Sequence, residues 1–256
     1  MLSYPAAIPL SNHTLVHLAD LIRAERTRPR SRWRRLEPGR QALLVLAHLR
    51  NGDTHARLAV GSGISHSTAR RYIREAVDLL AGSAEDLRAA GERAARLAYA
   101  VLDGTLVPID RVADQKPYFS GKHRRHGVNV QILADPAGRL VWASPALPGA
   151  VHDPTAARAH GLIDMLTTND VTAFADKAYQ GAGGTVRTPF KRHATRQRLS
   201  RDQNAVNRAH ARIRALGERA VSLLKGRKIL LKLRCCPRRA TAIVVLHHIE
   251  TCRQPR

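Results

Sequence analysis

The spacing of apolar residues changes near residue 97, and this change constrains the fold more than any other feature of the chain. From Gly39 to Ala81 apolar positions recur at helical intervals, from Leu97 to Ala175 they gather in short runs bounded by Gly, Pro and Asp, and from Ser200 to Leu224 the helical interval returns. Intervals of three and four residues bury one side of a helix, whereas short apolar or alternating runs are how strands read. The order predicts a mixed α/β protein, with a small helical domain first and then a mixed sheet covered by helices. With 256 residues, 44% of them apolar, the chain can supply one large core and one small one.

In the helical part, Leu43, Leu46, Ala47 and Leu49 form a first amphipathic stretch, and Asn51-Gly52-Asp53-Thr54 reads as a stop followed by a new N-cap. A short second helix, His55 to about Val60, ends in Gly61-Ser62-Gly63. A third opens at Ser65 and sets Ala69, Tyr72, Ile73, Ala76, Val77 and Leu80 on one stripe, leaving Arg70, Arg71 and Arg74 on other faces. A short helix, a glycine-bearing turn and a longer basic helix are the parts of a helix-turn-helix, whose second helix enters the major groove of DNA. Residues 37–82 are assigned to it, with Ser65, His66, Arg70, Arg71 and Arg74 as candidate DNA contacts. Before it, residues 1–36 carry scattered Pro and a cluster of Arg26, Arg28, Arg30, Arg32, Arg34 and Arg35 around Trp33, which predicts a basic arm. Residues 83–96, rich in Ala, Glu and Arg, predict a connecting helix.

In the second part, 97–256, strands are predicted at Leu97–Leu102, Val128–Leu133, Leu140–Ala143 and Val171–Ala175, with a helix from about Pro154 to Leu166. A long helix follows from about Ser200 to Leu224, with Val206, Ala209, Ile213, Leu216, Ala220 and Leu223 as its buried stripe. Asp103 and Asp176 each close a predicted strand. Two such carboxylates are costly as neighbours unless a cation neutralises them, and hard divalent ions prefer oxygen ligands. The competing reading is two unrelated loop aspartates. Glu218 falls opposite the apolar stripe, on the face of Asn207, Arg214 and Lys225, where a metal ligand and a solvated Glu paired with Arg214 look alike.

Forty-three Lys and Arg against 20 Asp and Glu give a formal charge of +23 and a pI near 11.4. Such a surplus points to a polyanionic partner, nucleic acid first. No apolar run reaches the roughly 18 residues of a membrane span, and no signal peptide is recognisable, which predicts a cytoplasmic protein without a membrane partner. Cys235, Cys236 and Cys252 form no zinc or disulfide pattern and read as reduced apolar residues. Lys122-His123-Arg124-Arg125-His126 reads either as a phosphate-backbone contact or as a solvated hairpin tip. Gly181 to Gly184 reads as a flexible connection, and His247-His248-Ile249-Glu250 lacks matching ligands elsewhere.

Four runs carry a family resemblance: Val101-Leu102-Asp103-Gly104-Thr105, Pro148 to Asp153, Ala175 to Gly181, and Arg212 to Lys225 with Glu218 inside. In this order they resemble the endonuclease domain of DDE-superfamily insertion-sequence transposases, the group that includes Harbinger-type proteins. Asp53 to Leu80 resembles the helix-turn-helix that precedes it in bacterial members. The resemblance implies an RNase H-like fold, Asp103, Asp176 and Glu218 as catalytic and metal-binding acids, and Asp153 in reserve. It further implies two Mg2+ or Mn2+ ions, element ends and target DNA as partners, and action as a homodimer or higher oligomer in the cytoplasm, on the nucleoid. Lys177, Arg212, Arg214, Arg219 and Lys225 become candidate phosphate contacts. The stretch Ala240 to Glu250 looks short for a last full helix of such a domain. Rival readings are an inactive or domesticated DNA-binding protein, and a nuclease of the same fold acting in repair or on RNA.

Overall fold

The computed structural model describes residues 11–27, 34–83, 86–109, 116–192, 198–225 and 237–251. Arg28, Arg30, Arg32, Trp33, the three cysteines and the side chains of Lys225, His247 and His248 lie outside the described residues. The chain divides into two compact units, residues 1–84 with 225–256, and residues 85–224.

The first unit is helical. Its elements are α1 (Asn12–Arg26), α2 (Pro38–Asn51), α3 (His55–Ser62), α4 (His66–Gly82) and α9 (Pro237–Thr251). The stripe predicted on α4 is buried at all six positions, while Ser65, His66, Arg70, Arg71 and Arg74 are exposed. Thr54 caps α3 and Ser65 caps α4, each side-chain oxygen accepting from a backbone N–H three residues on. Gly63 turns the chain between them with a φ of 64°, a left-handed conformation that costs glycine little.

Three expectations for this unit are corrected. Residues 12–26 are a helix and not an arm, because Thr14, Leu18 and Ile22 recur every four residues and bury one side. Arg26 and Arg34 of the basic cluster turn inward: Arg26 donates to the Leu36 carbonyl and to Gln41, and Arg34 forms a two-pronged pair with Glu75 at 2.8 Å. On α2 the burial runs through Ala42 and Leu44 to Leu49, and Leu43 is exposed. The C-terminal stretch is a full 15-residue helix, not a short one. Ala242 to Leu246 are buried, α9 packs on α1 and α4, and Glu250 accepts from the Ser11 backbone N–H at 2.9 Å.

The second unit holds a mixed sheet with helices on its flanks. Its strands are β1 (Ala100–Pro108), β2 (Phe119–Ser120), β3 (Arg125–Ala134), β4 (Leu140–Ala143), β5 (Leu147–Pro148), β6 (Ala173–Ala175) and β7 (Val186–Arg187). The order is β2-β3-β1-β6-β7, with β4 and β5 also pairing with β3. β1 runs antiparallel to β3 and parallel to β6, and β6 runs parallel to β7. Helices α5 (Leu87–Ala94), α6 (Asp153–Ala159) and α7 (Leu162–Thr168) enclose a core with Leu102, Leu133, Trp142, Leu166 and Tyr179. The connecting segment is therefore part of this core, through Ala90 and Ala94. On the other face α8 (Arg201–Lys225) lays Ala220 and Ile213 against Val101, Ala134 and Tyr99.

The single helix expected over residues 154–166 is two, parted at Gly161, which has a φ of 68°. The stripe on α8 is rotated from the expected one: Val206 is 51% exposed and Ala209 is exposed, while His210, Gly217, Ala220 and Val221 are buried. Hydrophobicity alone misplaced it because a glycine makes a close approach to the sheet. A Cβ on Gly217 would stand 2.4 Å from the Val101 Cγ1 atom. No helix of the described residues is long and apolar enough to cross a membrane.

Gly217→Val is expected to destabilise the second unit by about 1–3 kcal/mol, the range for overpacking a filled contact. Urea unfolding followed by circular dichroism measures it, and an unchanged midpoint would contradict a close seat of α8 on β1.

Candidate functional site

β1 does not end at Asp103 as the sequence reading has it; it continues to Pro108, paired with β3 throughout. Asp103 thus stands in mid-strand, paired with Ile132 of β3. Parallel pairing sets Leu102 opposite Ala175, and β6 ends there, so Asp103 and Asp176 follow as neighbours. Asp176 caps the short turn Lys177–Tyr179, its carboxylate accepting from the Ala178 N–H at 2.8 Å.

Side chains alternate across a strand, so β1 shows two different surfaces. Val101 and Asp103 face α8, where the Arg214 guanidinium comes within 3.9 Å of the Asp103 carboxylate. Leu102, Gly104 and Leu106 face the opposite side, each opposite a β3 residue: Leu133, Gln131 and Asn129. Gly104 leaves a gap there, and Asp153, at the start of α6, fills it. A Cβ on Gly104 would stand 2.3 Å from the Asp153 Oδ1 atom.

Asp153 is buried and is held by a chain of polar side chains. Asn129 Nδ2 donates to Asp153 Oδ1 at 2.8 Å, Gln131 Nε2 donates to Asn129 Oδ1 at 2.7 Å, and the Tyr179 hydroxyl donates to Gln131 Oε1. On its other oxygen Asp153 accepts from Lys122 Nζ at 3.0 Å, and the same ammonium lies 3.8 Å from Asp176 Oδ2. A cavity of about 310 Å³ opens beside this group, lined by Lys122, Asn129, His152 and Asp153 among others.

Burial pushes the Asp103 carboxyl up to about 6, with the negative charges of Asp176 and Asp153 adding to the rise and Arg214 opposing it. The Tyr179 hydroxyl is raised well above its usual range, also by burial first. Lys122 is raised overall: desolvation opposes its charge, but the hydrogen bond to Asp153 and the three carboxylates outweigh that.

Asp153 and Asp176 therefore share Lys122, and Asp103, on the other face of β1 from Asp153, lies near enough to feel both charges. Glu218 does not join them: it is exposed on α8, one turn from Arg214, and among the described residues no hydrogen bond or ion pair joins it to the aspartates. Also among the described residues, no group of three His, Cys, Asp or Glu side chains is close enough to hold one ion. The donor set nonetheless suits a hard divalent cation. Its ligating atoms are carboxylate oxygens, and beside Asp103 lies a buried oxygen, Thr105 Oγ1, without a hydrogen-bond partner among the described residues. Lys177, Arg212 and Arg219 are exposed, whereas Arg214 is turned to Asp103.

Lys122, Asn129, Gln131 and Tyr179 were not foreseen as site residues. The signal for two of them is the polar alternation in Val128-Asn129-Val130-Gln131-Ile132. An alternating strand is ordinarily read as wet on its polar side, yet here that side is buried. Lys122 was visible only as one base in a cluster.

Comparison with known families gives two matches. The model described as DDE superfamily endonuclease matches residues 102–248, more than half the chain, and the one described as helix-turn-helix of DDE superfamily endonuclease matches residues 34–86. The first match runs through α9, which by its contacts belongs with the helical unit. No curated protein and no solved structure matches the chain.

Asp103→Asn is expected to stabilise the protein at pH 8 in the presence of EDTA by about 1–3 kcal/mol. The folded-state value lies above the unfolded one, so the folded protein holds this proton more tightly, and wild-type stability declines as pH rises from about 4 to about 6. The gain should therefore vanish towards pH 4 and level off above pH 6. A difference that is the same in denaturation curves at pH 4 and pH 8 would contradict the burial of an ionised Asp103.

Proposed function

Because the chain belongs to the family of DDE superfamily endonucleases and carries that family's helix-turn-helix ahead of the nuclease domain, we propose that it is an insertion-sequence transposase. It binds the ends of its element through residues 37–82, acts as a homodimer or higher oligomer on DNA, and cuts and joins DNA with the domain that begins near residue 97. The observation that carries this reading is the pairing of β1 with β6, which sets Asp103 beside Asp176 with Asp153 reaching the same stretch of β1.

In this reading Asp103, Asp176 and Glu218 hold two Mg2+ or Mn2+ ions, with Asp153 as the alternative to any one of them. Such ions, when bound, lower the pKa of an attacking water and neutralise the leaving 3′ oxygen. Asp103 must give up its proton to take an ion, so in the ion-free protein uptake weakens as pH drops below about 6. Arg214 and Lys177 contact phosphate near the acids, and Lys225 does so further along α8. Ser65, His66, Arg70, Arg71 and Arg74 lie at the N-terminal, exposed side of α4, the part of a recognition helix that meets base edges and phosphates.

One observation favours a second reading, a DNA-binding protein without cleavage: Glu218 stands apart from the aspartates. The two readings separate on a duplex carrying the inverted repeats that flank the gene. Mg2+- or Mn2+-dependent nicking, reduced at least a hundredfold by Asp103→Ala and by Asp176→Ala, is the outcome for a transposase. Specific binding with no nicking under either ion is the outcome for the second reading.

For the DNA contacts, Arg70→Ala and Arg74→Ala are each expected to weaken binding to that duplex. If the lost contact is to phosphate, the slope of log K against log salt falls in magnitude by about 0.9. Fluorescence anisotropy at several salt concentrations measures this, and affinities unchanged in both variants would remove α4 from the interface.

A further inference from the structure

We infer that Lys122 is the resident counter-ion of the acidic site: it neutralises Asp153 and Asp176 until a divalent ion arrives, and then yields to it. The inference rests on the proposed reading of the aspartates as cation ligands. Its ground is the shared ammonium, 3.0 Å from Asp153 Oδ2 and 3.8 Å from Asp176 Oδ2. Two carboxylates this close repel one another, and a single lysine between them removes most of that cost.

Three features fit a counter-ion that can leave. The Lys122 side chain is 49% exposed and sits in the turn between β2 and β3, beside Gly121, so its four-carbon stem is free to swing into the adjoining cavity. Asp153 does not need it for orientation, since Asn129 Nδ2 fixes the other carboxylate oxygen and is itself fixed through Gln131 and Tyr179. Asp176 is likewise held from below by the Ala178 N–H. The acids stay in place when the lysine departs. Arg214, 21% exposed and packed on Asp103, has no such freedom. A divalent ion brings two charges against the lysine's one and repels the ammonium at contact distance, so Lys122 and the ion exclude one another. Once expelled, the ammonium is a free phosphate contact at the mouth of the site. Lys122 is thus a charge-compensating residue whose state reports on the ion.

The test is Mn2+ binding to the full chain by isothermal titration calorimetry, with Mn2+ alone as the probe, in wild type, Lys122→Met and Lys122→Arg. Lys122→Met is expected to bind Mn2+ about tenfold more tightly, and Lys122→Arg to stay within about threefold of wild type, since it keeps the competing charge; tenfold corresponds to about 1.4 kcal/mol. Unchanged or weaker affinity in Lys122→Met overturns the inference. Should Lys122→Met not fold, acetylation of wild-type Lys122 by a succinimidyl ester, read by mass spectrometry, gives the same answer. Labelling should rise several-fold when Mn2+ is bound, and labelling that is unchanged or lower with Mn2+ bound overturns the inference. These failures leave the reading of the acids intact. Absence of any Mn2+ binding to the wild type, by contrast, removes both.

Discussion

The register of β1 between β3 and β6 is the constraint on which the site depends. Antiparallel pairing with β3 fixes which β1 side chains face α8 and which face α6, and parallel pairing with β6 fixes where along β1 the second acid falls. A slip of one residue would exchange the two faces. Asp103 would then enter the apolar core around Leu102 and Leu133, and the gap left by Gly104 would face α8, away from Asp153. The register is strongly specified because both faces are buried: Leu102 and Leu133 pack on one side, Val101 and Ala134 on the other. The sheet's hydrophobic pattern and the placing of its acids are thus one constraint and not two.

Much of this was legible before any coordinates. The stripe on α4 reads directly from its spacing because the helix packs one clean face. The strand carrying Asp103 reads too, but not its length, since Gly104 and Pro108 look like punctuation while here they lie within a strand paired along its whole edge. α1 was missed because prolines and arginines around it mask a stripe of only four residues, Thr14, Leu18, Ala19 and Ile22. α8 was rotated because the contact that seats it is Gly217 on Val101, and a glycine carries no hydrophobic signal.

At the site, Asp103 and Asp176 announced themselves as carboxylates at the ends of apolar runs and Asp153 only through the family resemblance, whereas the groups that hold them did not. Asn129, Gln131 and Tyr179 have ordinary identities, and only the sheet register and the approach of α6 turn them into one hydrogen-bonded chain. Lys122 lies 31 residues from Asp153 and 54 from Asp176, a separation no local pattern spans. Glu218 is the converse case: a family motif marks it, yet seating α8 by Gly217 gives Arg214 the position facing Asp103 and leaves Glu218 exposed one turn away. Rotating α8 to bring Glu218 inward would lift Gly217 from Val101, so any approach of Glu218 must come from its own side-chain torsions or from α8 moving as a body.

The charge of the chain acquires a division of labour in this light. A surplus of +23 distributed evenly would draw a polyanion anywhere on the surface. On α4 the bases are exposed and available to DNA. In the second unit three acids gather around mid-strand β1, and two bases, Lys122 and Arg214, are spent on them. That gathering keeps the site from being a simple anion trap: with its bases engaged by carboxylates, it has little to offer a phosphate. On the proposed reading, a divalent cation at the acids would return Lys122 to the phosphate backbone. On that reading, affinity for DNA at the acids depends on the metal, while affinity at α4, whose bases are not engaged by those carboxylates, does not.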